Sequence, residues 1–353
     1  MAILSKIFPR SIQSDISIID ALKKMDSEGV KMLFVFENDN FISILTIGNI
    51  QRAIIKGYSL DTKVKEMVER DKFYANIHDS KEMIREKMKE SRAECMPILN
   101  YDGSLFDVIF WEEIFGEGEQ IQKKKINLPV VVMAGGKGTR LKPLTNIFPK
   151  PLIPVGEKTI IEEIMDKFET IGCEHFYISV NYKVDIMKLY FSQLEHKYNM
   201  TYFQEDIPLG TIGSISLLEG KINTPFIVTN CDIIIDQDFR DVYEYHISNK
   251  NDITVVTAIK SNQIPYGVIE TGENGLLIDL KEKPETTFMF NSGAYILNPE
   301  LIGEIPKGKM FHMTQLIEKI RERGGRIGCF PVSDHAWKDM GEWSEYLKMI
   351  NVI

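Results

Sequence analysis

The chain has 353 residues, of which 44% are hydrophobic and 26% charged. These values exclude a wholly disordered chain, a collagen and a small disulfide scaffold, and at roughly 100–200 residues per domain the length predicts about two domains. The net charge of −9 repels phosphate backbones over most of the surface, which argues against nucleic acid as the main partner. A local basic site for a small phosphate ligand stays compatible with that charge.

The four cysteines, Cys95, Cys173, Cys231 and Cys329, are far apart and form no C-x-x-C pair. This spacing predicts free thiols in a reducing compartment. The start of the chain, MAILSKIFPR, lacks the apolar core of a signal peptide, and no apolar run approaches the roughly 18–20 residues that span a bilayer. We therefore expect a cytoplasmic protein without a membrane partner.

Residues 116–127, GEGEQIQKKKIN, show neither the alternation of a strand nor the apolar stripe of a helix. We predict a first domain at residues 1–118, a linker at 119–127 and a second domain at 128–353.

The first domain contains an internal repeat, because residues 32–50 and 96–114 match at an offset of 64 without a gap. Each copy reads as a strand, a polar turn, a second strand and the start of a helix. A helical pattern precedes each copy, at residues 18–28 and 82–91. One copy is too small to bury its own apolar face, so we expect the two copies to pack together.

This repeat resembles the CBS-pair (Bateman) module over about residues 8–117. The resemblance implies an adenine nucleotide as ligand, and assembly into a homodimer or homotetramer. The ribose-binding signature of that family is Thr/Ser-x-x-Asp, and the two copies here have Thr46-Ile-Gly-Asn49 and Phe110-Trp-Glu-Glu113. Only the first copy keeps the hydroxyl, and only the second keeps a carboxylate, as Glu. A nucleotide-binding module and a dimerisation platform without a ligand both stay open.

The second domain alternates apolar strand-like runs with helical patterns, which predicts an α/β fold with a Rossmann-like, mostly parallel sheet. Ligands of such sheets bind beyond the carboxyl ends of the strands. The predicted helices include residues 160–171, 184–196 and a short one at 214–218. The predicted strands are residues 130–133, 176–180, 226–229, 253–258 and 294–297.

A glycine-rich turn follows the first of these strands, with Gly135, Gly136 and Gly138. Successive N–H groups in such a turn form an anion-binding concavity, to which Lys137 and Arg140 add cationic donors. The segment fits neither the Walker A pattern nor the dinucleotide fingerprint G-x-G-x-x-G. A purely structural turn is the alternative.

Four prolines lie within the next twelve residues: Pro143, Pro149, Pro151 and Pro154. A helix cannot run through this spacing, so we predict an extended, stiffened loop. Lys150 lies between two of the prolines, and a lysine on a rigid loop near a glycine turn suits a phosphate clamp.

Residues 134–155, AGGKGTRLKPLTNIFPKPLIPV, resemble the signature of sugar-1-phosphate nucleotidylyltransferases, and the resemblance covers about residues 128–350. It implies that Arg140 and Lys150 hold the triphosphate and the sugar phosphate during transfer. The nucleotide-binding residues implied at this turn are Ala134, Gly135, Gly136, Lys137, Gly138 and Thr139.

Residues 204–214, QEDIPLGTIGS, are similar to the E-x-x-P-L-G-T-x-G segment of guanylyltransferases. Glu205 would accept hydrogen bonds from the N1–H and amino groups of guanine, and Gly210 and Thr211 would lie against the nucleotide. A polar loop that opens a helix is the alternative.

Asp232 follows a predicted strand, and Asp339 lies in Trp337-Lys-Asp-Met-Gly341, which resembles the family's W-x-D-x-G. Because Mg²⁺ prefers one or two carboxylates together with phosphate oxygens, these two aspartates predict a magnesium site. Six more residues occur in the family's order and are assigned to the sugar phosphate: Tyr266, Gly267, Glu282, Lys283, Asn291 and Gly293.

We therefore predict an enzyme that joins an NTP to a sugar 1-phosphate, with Arg140, Lys150 and Asp232 as catalytic residues. A CBS pair before the transferase resembles the glucosamine-1-phosphate guanylyltransferases of bacterial legionaminic acid pathways, which favours GTP and glucosamine 1-phosphate, for surface glycan or nonulosonic acid synthesis. Mannose 1-phosphate with GTP, and glucose 1-phosphate with dTTP or UTP, are the alternatives within the family. A non-catalytic nucleotide or sugar sensor is the alternative from another class.

Overall fold

The computed structural model describes residues 7–68, 73–91, 93–116, 124–193 and 197–350. The chain divides into two compact units, Met1–Lys123 and Lys124–Ile353. Residues 119–123 of the predicted linker and 194–196 of one predicted helix lie outside the described residues, and residues 124–127 have no regular secondary structure.

The N-terminal unit contains two three-stranded sheets, and each sheet has one parallel and one antiparallel pair. The strands are β1 (Ser11–Gln13), β2 (Met32–Glu37), β3 (Asn40–Thr46), β4 (Ala75–Asn76), β5 (Cys95–Leu99) and β6 (Leu105–Phe110). The helices are α1 (Ile18–Glu28), α2 (Ile47–Ile55), α3 (Val64–Met67), α4 (Lys81–Ser91) and α5 (Trp111–Phe115), with a 3₁₀ turn at Phe8–Arg10.

The internal repeat is visible in the strand register. Ser11 pairs with Phe34 in the first sheet and Ala75 with Ile98 in the second, so both partners move by the same 64 residues. The antiparallel pairs differ by one residue, because Met32 lies opposite Thr46 whereas Met96 lies opposite Ile109.

The two copies share one apolar core, as the small size of each copy predicts. Met32 and Phe34 of the first copy pack with Cys95 and Val108 of the second. The rings of Phe34 and Phe110 meet edge to face, with centroids 6.4 Å apart. Neither copy would bury these side chains alone.

The residues of the ribose-binding signature form helix N-caps in both copies. The Thr46 hydroxyl lies 2.5 Å from Asn49 Oδ1, and the Asn49 backbone N–H donates to that hydroxyl at the start of α2. At the start of α5 the Phe110 N–H donates to Glu113 Oε2 at 2.8 Å. These hydrogen bonds satisfy orphan donors of each first turn.

The C-terminal unit is built on a seven-stranded sheet with six strands in one direction and one antiparallel strand. This confirms the predicted α/β fold with a mostly parallel sheet. The strands of the sheet, in spatial order, are β11 (Asn199–Gln204), β10 (His175–Val180), β7 (Val130–Met133), β12 (Phe226–Asn230), β17 (Glu285–Leu297), β14 (Ile253–Gln263) and β18 (Ile327–Val332). β17 is the antiparallel strand, between β12 and β14.

Three two-stranded sheets and six helices surround this sheet in the described residues. The short pairs are β8 (Pro154–Val155) with β9 (Lys158–Thr159), β13 (Ile233–Ile235) with β19 (Trp337–Asp339), and β15 (Val268–Thr271) with β16 (Leu277–Lys281). The helices are α6 (Leu144–Ile147), α7 (Ile160–Thr170), α8 (Val184–Gln193), α9 (Phe239–Ser248), α10 (Met313–Glu322) and α11 (Trp343–Met349). Short 3₁₀ helices lie at Thr139–Leu141, Lys150–Leu152, Gly213–Leu218, Glu273–Gly275 and Pro299–Glu304.

The core of this unit lies between the sheet and its helices. Val131 and Val228 in the central strands are fully or almost fully buried, and they belong to one cluster with Leu316 and Ile320 of α10. Continuous burial on both faces explains why β7 reads as an unbroken apolar run. In the parts of the chain that the structure describes, no helix combines the length and apolarity needed to cross a membrane.

The proline-rich segment is not the extended loop that we predicted. It contains two short helical turns, at Leu144–Ile147 and Lys150–Leu152, and a third turn at Thr139–Leu141 precedes it. Pro143 and Pro149 occupy N-cap positions, where a missing N–H costs nothing. The prolines therefore limit the length of each helix, and they do not prevent helical turns.

Candidate active site

The glycine turn follows β7 at the carboxyl edge of the sheet, and Gly138 is the point at which it approaches Lys150. Gly138 has a φ of +62°, and a Cβ there would lie 2.8 Å from Thr145 Cγ2 and 3.0 Å from Lys150 Cβ. Only glycine combines this backbone conformation with this close approach. The turn leaves Gly136, Lys137, Thr139 and Arg140 exposed.

Two side chains that sequence reasoning did not assign to the site hold the proline-rich segment. Lys183 Nζ donates to the carbonyls of Asn146 and Ile147 at 2.6 and 2.8 Å, and lies 3.3 Å from that of Thr145. Trp343 donates its indole N–H to Lys142 O at 2.9 Å. No local sequence signal identifies Lys183, because its partners lie more than 35 residues away.

The β13–β19 pair brings the two predicted metal ligands together. Ile233 lies opposite Asp339, and the Met340 N–H donates to Asp232 O at 2.8 Å. A Cβ built on Gly341 would lie 2.7 Å from Asp232 Oδ2, 2.7 Å from Asp339 Oδ1 and 2.8 Å from Lys150 Nζ. Three charged groups from distant parts of the sequence therefore surround one point that only a glycine leaves open.

The charges at this point form a buried cluster. Lys150 and Asp232 form an ion pair in which the two side chains are 10% and 11% exposed. Burial raises the pKa of Asp339, and the neighbouring Asp232 carboxylate raises it further. The Gly341 N–H, Lys150 and Arg140 lower it, but the net shift is upward. The pKa shift of Asp339 thus reflects chiefly its burial, with a smaller contribution from the second carboxylate nearby.

Arg140 lies at the exposed side of this cluster. Its Nη1 is 2.8 Å from Glu342 Oε1 and 3.9 Å from Asp339 Oδ2, and its side chain is 56% exposed. The hydrogen bond that Arg140 donates to Glu342 is the largest contribution that raises the pKa of Arg140. Glu342 was not among the predicted site residues, although it directly follows the predicted W-x-D-x-G segment.

The donor set fits a magnesium ion. Because each carboxylate oxygen lies 2.7 Å from the same point, the two oxygens are at most 5.4 Å apart. Two ligand oxygens of one octahedral Mg²⁺ are about 3–4 Å apart, and the ion usually takes only one or two carboxylates from the protein. In the part of the chain that the structure describes, no group of three or more His, Cys, Asp or Glu side chains forms a metal-binding cluster.

Glu205 is buried and has hydrogen-bond partners within the protein. Its Oε1 accepts from the Ser179 hydroxyl at 2.8 Å, and its Oε2 accepts from the Leu209 N–H at 3.0 Å. A Cβ on Gly135 would lie 3.1 Å from Oε1, so the carboxylate faces the glycine turn. The structure thus places Glu205 beside the turn, and its contact with a base stays a prediction.

The predicted nucleotide residues after Glu205 contact the start of α10. Gly210 has a φ of +83°, and a Cβ there would lie 2.6 Å from Phe311 O. The Thr211 hydroxyl accepts a hydrogen bond from the Met313 N–H at 2.9 Å. The glycine therefore permits close approach of another backbone segment, and the threonine satisfies a donor in the first turn of α10.

The residues assigned to the sugar phosphate fall into two places. A Cβ on Gly293 would lie 2.6 Å from Asn230 Nδ2, and Asn291 Oδ1 accepts from the Gly293 N–H, so Asn291 and Gly293 lie beside the end of β12. Gly267 lies opposite Glu282 next to the separate β15–β16 pair, where a Cβ would lie 3.0 Å from Glu282 Oε2.

The remaining two sugar-side residues, Tyr266 and Lys283, lie in the segments that join β15 and β16 to β14 and β17 of the seven-stranded sheet. Tyr266 is 74% exposed, and Lys283 has a positive φ of 45°. The side chain of Gln263, the last residue of β14, donates to Lys283 O at 3.5 Å.

All four cysteines are free, and only Cys329 is exposed. Burial raises the pKa of Cys231 to about 12, and the adjacent Asp232 carboxylate contributes. A thiol with this pKa is a poor nucleophile at neutral pH, so Cys231 is a packing residue next to Asp232.

Comparisons with known proteins place both units in families. The sequence profile of the nucleotidyl transferase family matches residues 129–353, more than half of the chain, and the CBS domain profile matches residues 5–56. A mannose-1-phosphate guanyltransferase from Yarrowia lipolytica is 35% identical over 225 residues, which are 62% of this chain and 61% of the relative. A mannose-1-phosphate guanylyltransferase from Mycobacterium tuberculosis is 28% identical, with 62% of each chain covered.

The chain spans a little over three fifths of the length of these curated relatives. Among solved structures, HddC from Yersinia pseudotuberculosis is 26% identical with a TM-score of 0.50, and the match covers 64% of this chain and 99% of HddC. A complex of HddC with GMP-PN matches at 25% identity and the same TM-score. The chain therefore belongs to the nucleotidyl transferase family and has a CBS domain at its N-terminus.

Proposed function

We propose that the protein transfers a nucleotidyl group from an NTP to a sugar 1-phosphate and releases pyrophosphate. The observation that carries this proposal is the convergence of Lys150, Asp232 and Asp339 around Gly341, with Arg140 beside them. The cluster lies next to a glycine turn whose N–H groups suit an anion. Family membership supports the same reaction class.

The chemistry needs no protein nucleophile, because the phosphate of a sugar 1-phosphate is already an anion. One of its oxygens would attack the α-phosphorus in line, forming the new P–O bond as the bond to the pyrophosphate oxygen breaks. Catalysis is then positioning and neutralisation of charge. Arg140, at the exposed side of the cluster, would hold the departing pyrophosphate with two parallel hydrogen bonds.

The lysines would act on the sugar phosphate. Lys150 is held by the proline-rich segment next to the glycine turn, and Lys283 would approach from the β15–β16 segment. Asp232 and Asp339 would hold Mg²⁺, which, when bound, would supply neutralising charge to the transferring phosphate.

For the substrates we propose GTP and mannose 1-phosphate as the first pair to test. The names of the relatives, which are mannose-1-phosphate guanylyltransferases, support both, and HddC has been crystallised with GMP-PN. Glucosamine 1-phosphate is the second sugar to test, because the domain order, a CBS domain before the transferase, resembles that of guanylyltransferases of legionaminic acid synthesis.

A grid of GTP, ATP, CTP, UTP and dTTP against mannose, glucosamine and glucose 1-phosphates, followed by pyrophosphate release, tests this proposal. We expect release with GTP and one of the first two sugars. Release with dTTP or UTP and glucose 1-phosphate would replace the substrate assignment. Binding without release across the grid would favour the non-catalytic sensor.

For the N-terminal unit we propose a role in assembly as a homodimer or homotetramer. Thr46 and Asn49 hydrogen-bond to each other, so the caps of α2 and α5 account for the signature positions without a ligand. Titration of the whole chain with AMP and ATP, together with light scattering, tests this role. Heat of binding that persists in the presence of excess GTP would assign an adenine nucleotide to the unit instead.

A further inference from the structure

Lys150 holds a position between the two proposed metal ligands. Its ammonium pairs with Asp232, and both this nitrogen and Asp339 Oδ1 lie within 2.8 Å of the position that a Cβ on Gly341 would take. The buried ammonium thus pairs with Asp232 and lies near Asp339, whose own ion-pair partner, Arg140, is 3.9 Å away and mostly exposed. The two carboxylates are ligands of the kind that a divalent cation takes, and such a cation carries more charge than an ammonium.

We propose that Lys150 is a placeholder cation, whose ammonium occupies the place of a divalent ion between Asp232 and Asp339 and leaves it when the ion binds. This inference rests on the metal assignment made in the proposed function. It adds that the protein supplies its own cation to the carboxylates until the metal replaces it.

The close spacing makes it unfavourable for the Lys150 ammonium and a divalent ion to lie at the two carboxylates at the same time. The two carboxylate oxygens and the ammonium nitrogen all lie within 2.8 Å of one point, so an ion that takes both oxygens must lie close to that nitrogen. Like charges at such separations repel strongly in a site with little water, because the effective dielectric constant is low. Binding of the ion therefore requires the ammonium to move.

Rotation of the Lys150 side chain can move the ammonium away from the carboxylates. Its stem packs on the glycine turn, with Cβ and Cδ 3.0 and 3.4 Å from the position of a Cβ on Gly138. Rotation about the remaining side-chain bonds would swing the ammonium along the turn whose N–H groups suit a phosphate. Binding of the ion would thereby release the Lys150 ammonium from Asp232 and make it available to bind the sugar phosphate. Metal binding and sugar phosphate binding would then be coupled.

Manganese binding to the whole chain without nucleotide tests the proposal, with free Mn²⁺ measured by electron paramagnetic resonance. We expect Lys150→Met to bind Mn²⁺ at least tenfold more tightly than the wild type. Lys142→Met is the matched control, since it removes the same charge from an exposed position of the same segment and should change the affinity less than twofold.

The variants separate the placeholder from the metal assignment. Loss of Mn²⁺ binding in Asp232→Asn, with unchanged or weaker binding in Lys150→Met, would overturn the placeholder alone. Mn²⁺ binding that persists in Asp232→Asn would refute the metal assignment itself, and the placeholder with it. Absence of binding in both wild type and Lys150→Met would also overturn the proposal.

A second measurement uses the wild type and so does not depend on how a variant folds. Acetylation of Lys150 by acetic anhydride, followed by mass spectrometry, should accelerate severalfold when Mg²⁺ saturates the site, whereas acetylation of Lys142 should not change. Saturation is established by competition with Mn²⁺. An unchanged rate at Lys150 under saturating Mg²⁺ would contradict the displacement.

Discussion

Two clusters of the C-terminal unit combine lysine and aspartate with opposite stoichiometry. Asp166 on α7 accepts three hydrogen bonds, from Lys158 at 2.7 Å, Lys197 at 2.6 Å and Tyr198 at 2.6 Å. At the candidate site, by contrast, the two carboxylates of Asp232 and Asp339 lie near a single buried ammonium, that of Lys150, which pairs with Asp232. The first cluster has a surplus of donors, and the second has a surplus of acceptors.

The pKa shifts of the two clusters reflect this difference. Burial of Asp166 raises its pKa, but the hydrogen bonds from its three donors outweigh burial and lower the pKa to about 2. At Asp339 burial and a second carboxylate both raise the pKa, and the cations nearby do not cancel them. A carboxylate with surplus donors is a fixed structural tie, whereas carboxylates with surplus charge are suited to take another cation.

Asp232→Asn should have the largest effect, because it removes one of the two carboxylates and leaves Lys150 with an amide. We expect pyrophosphate release to fall at least about 10³-fold, the scale on which loss of a transition-state contact is measured. Release is followed with GTP and the active sugar phosphate, after circular dichroism has established that the variant is folded. Near-normal release would refute the assignment of Asp232 as a catalytic residue.

Gly138→Ala should have the next largest effect, because it displaces Lys150 while leaving every charge in place. A Cβ would lie 2.8 Å from Thr145 Cγ2 and 3.0 Å from Lys150 Cβ, at a φ of +62°. Such strain costs roughly 1–3 kcal/mol, and a displaced lysine should lower kcat/KM by about 10- to 100-fold.

The matched control for that variant is Gly156→Ala. Gly156 has a similar φ of +64°, but no atom lies within 4 Å of its Cβ position. It should therefore show the backbone strain as a lower Tm and keep its kcat/KM. An equal loss of activity in both variants would mean that strain, and not the position of Lys150, accounts for the effect at Gly138.

Asp166→Asn should change stability without changing catalysis. The folded pKa of about 2 lies below the usual value of 3.8, so the ionised carboxylate stabilises the fold above pH 4, and this contribution is lost as the pH falls toward 2. We expect the variant to lose about 1–2 kcal/mol in urea unfolding at pH 7. The difference from wild type should shrink below pH 4, and a constant difference would exclude the ionised carboxylate as its cause.

Most of the sheet could be predicted from the sequence, because its central strands are buried on both faces. The run at Val130–Met133 has the predicted bounds, and β12 extends the predicted strand by one residue. The sequence did not predict that β17 is antiparallel to its neighbours, since an apolar run carries no information about strand direction. β14 also continues beyond its buried end as a polar stretch, and β17 begins with a largely exposed stretch that includes Phe288 and Met289; periodicity detects neither extension.

At the candidate site, motif resemblance identified Lys150, Asp232 and Asp339, which the structure places together. It could not identify side chains whose partners are set by tertiary structure alone. Lys183 is one such residue, and Glu342 is another, because its relation to Arg140 spans 202 positions. The hydrogen bonds of Thr211 and Glu205 within the protein were missed for the same reason.

Glu342→Gln should have the smallest effect, because Arg140 is the exposed counterpart of buried Lys150. Arg140 lies 2.8 Å from Glu342, but both side chains are more than half exposed, and such pairs contribute only about 0–1 kcal/mol. A triphosphate that takes Arg140 must displace this carboxylate. Its removal should therefore lower the KM for GTP by about two- to fivefold at low salt, and the difference should vanish near 0.5 M salt.

Glu345→Gln is the matched control, since it removes the same charge three residues further on, in the first turn of α11, where Glu345 pairs with Lys348 at 2.8 Å. A similar fall in KM for both variants would mean that the loss of any negative charge near the site lowers the KM, and that the contact with Arg140 is not responsible. A higher KM in Glu342→Gln would mean that Glu342 orients Arg140 toward the phosphate and does not compete with it. In that case the exposed pair would be a fixed tie like Asp166, and only the buried Lys150 pair would exchange its partners on binding.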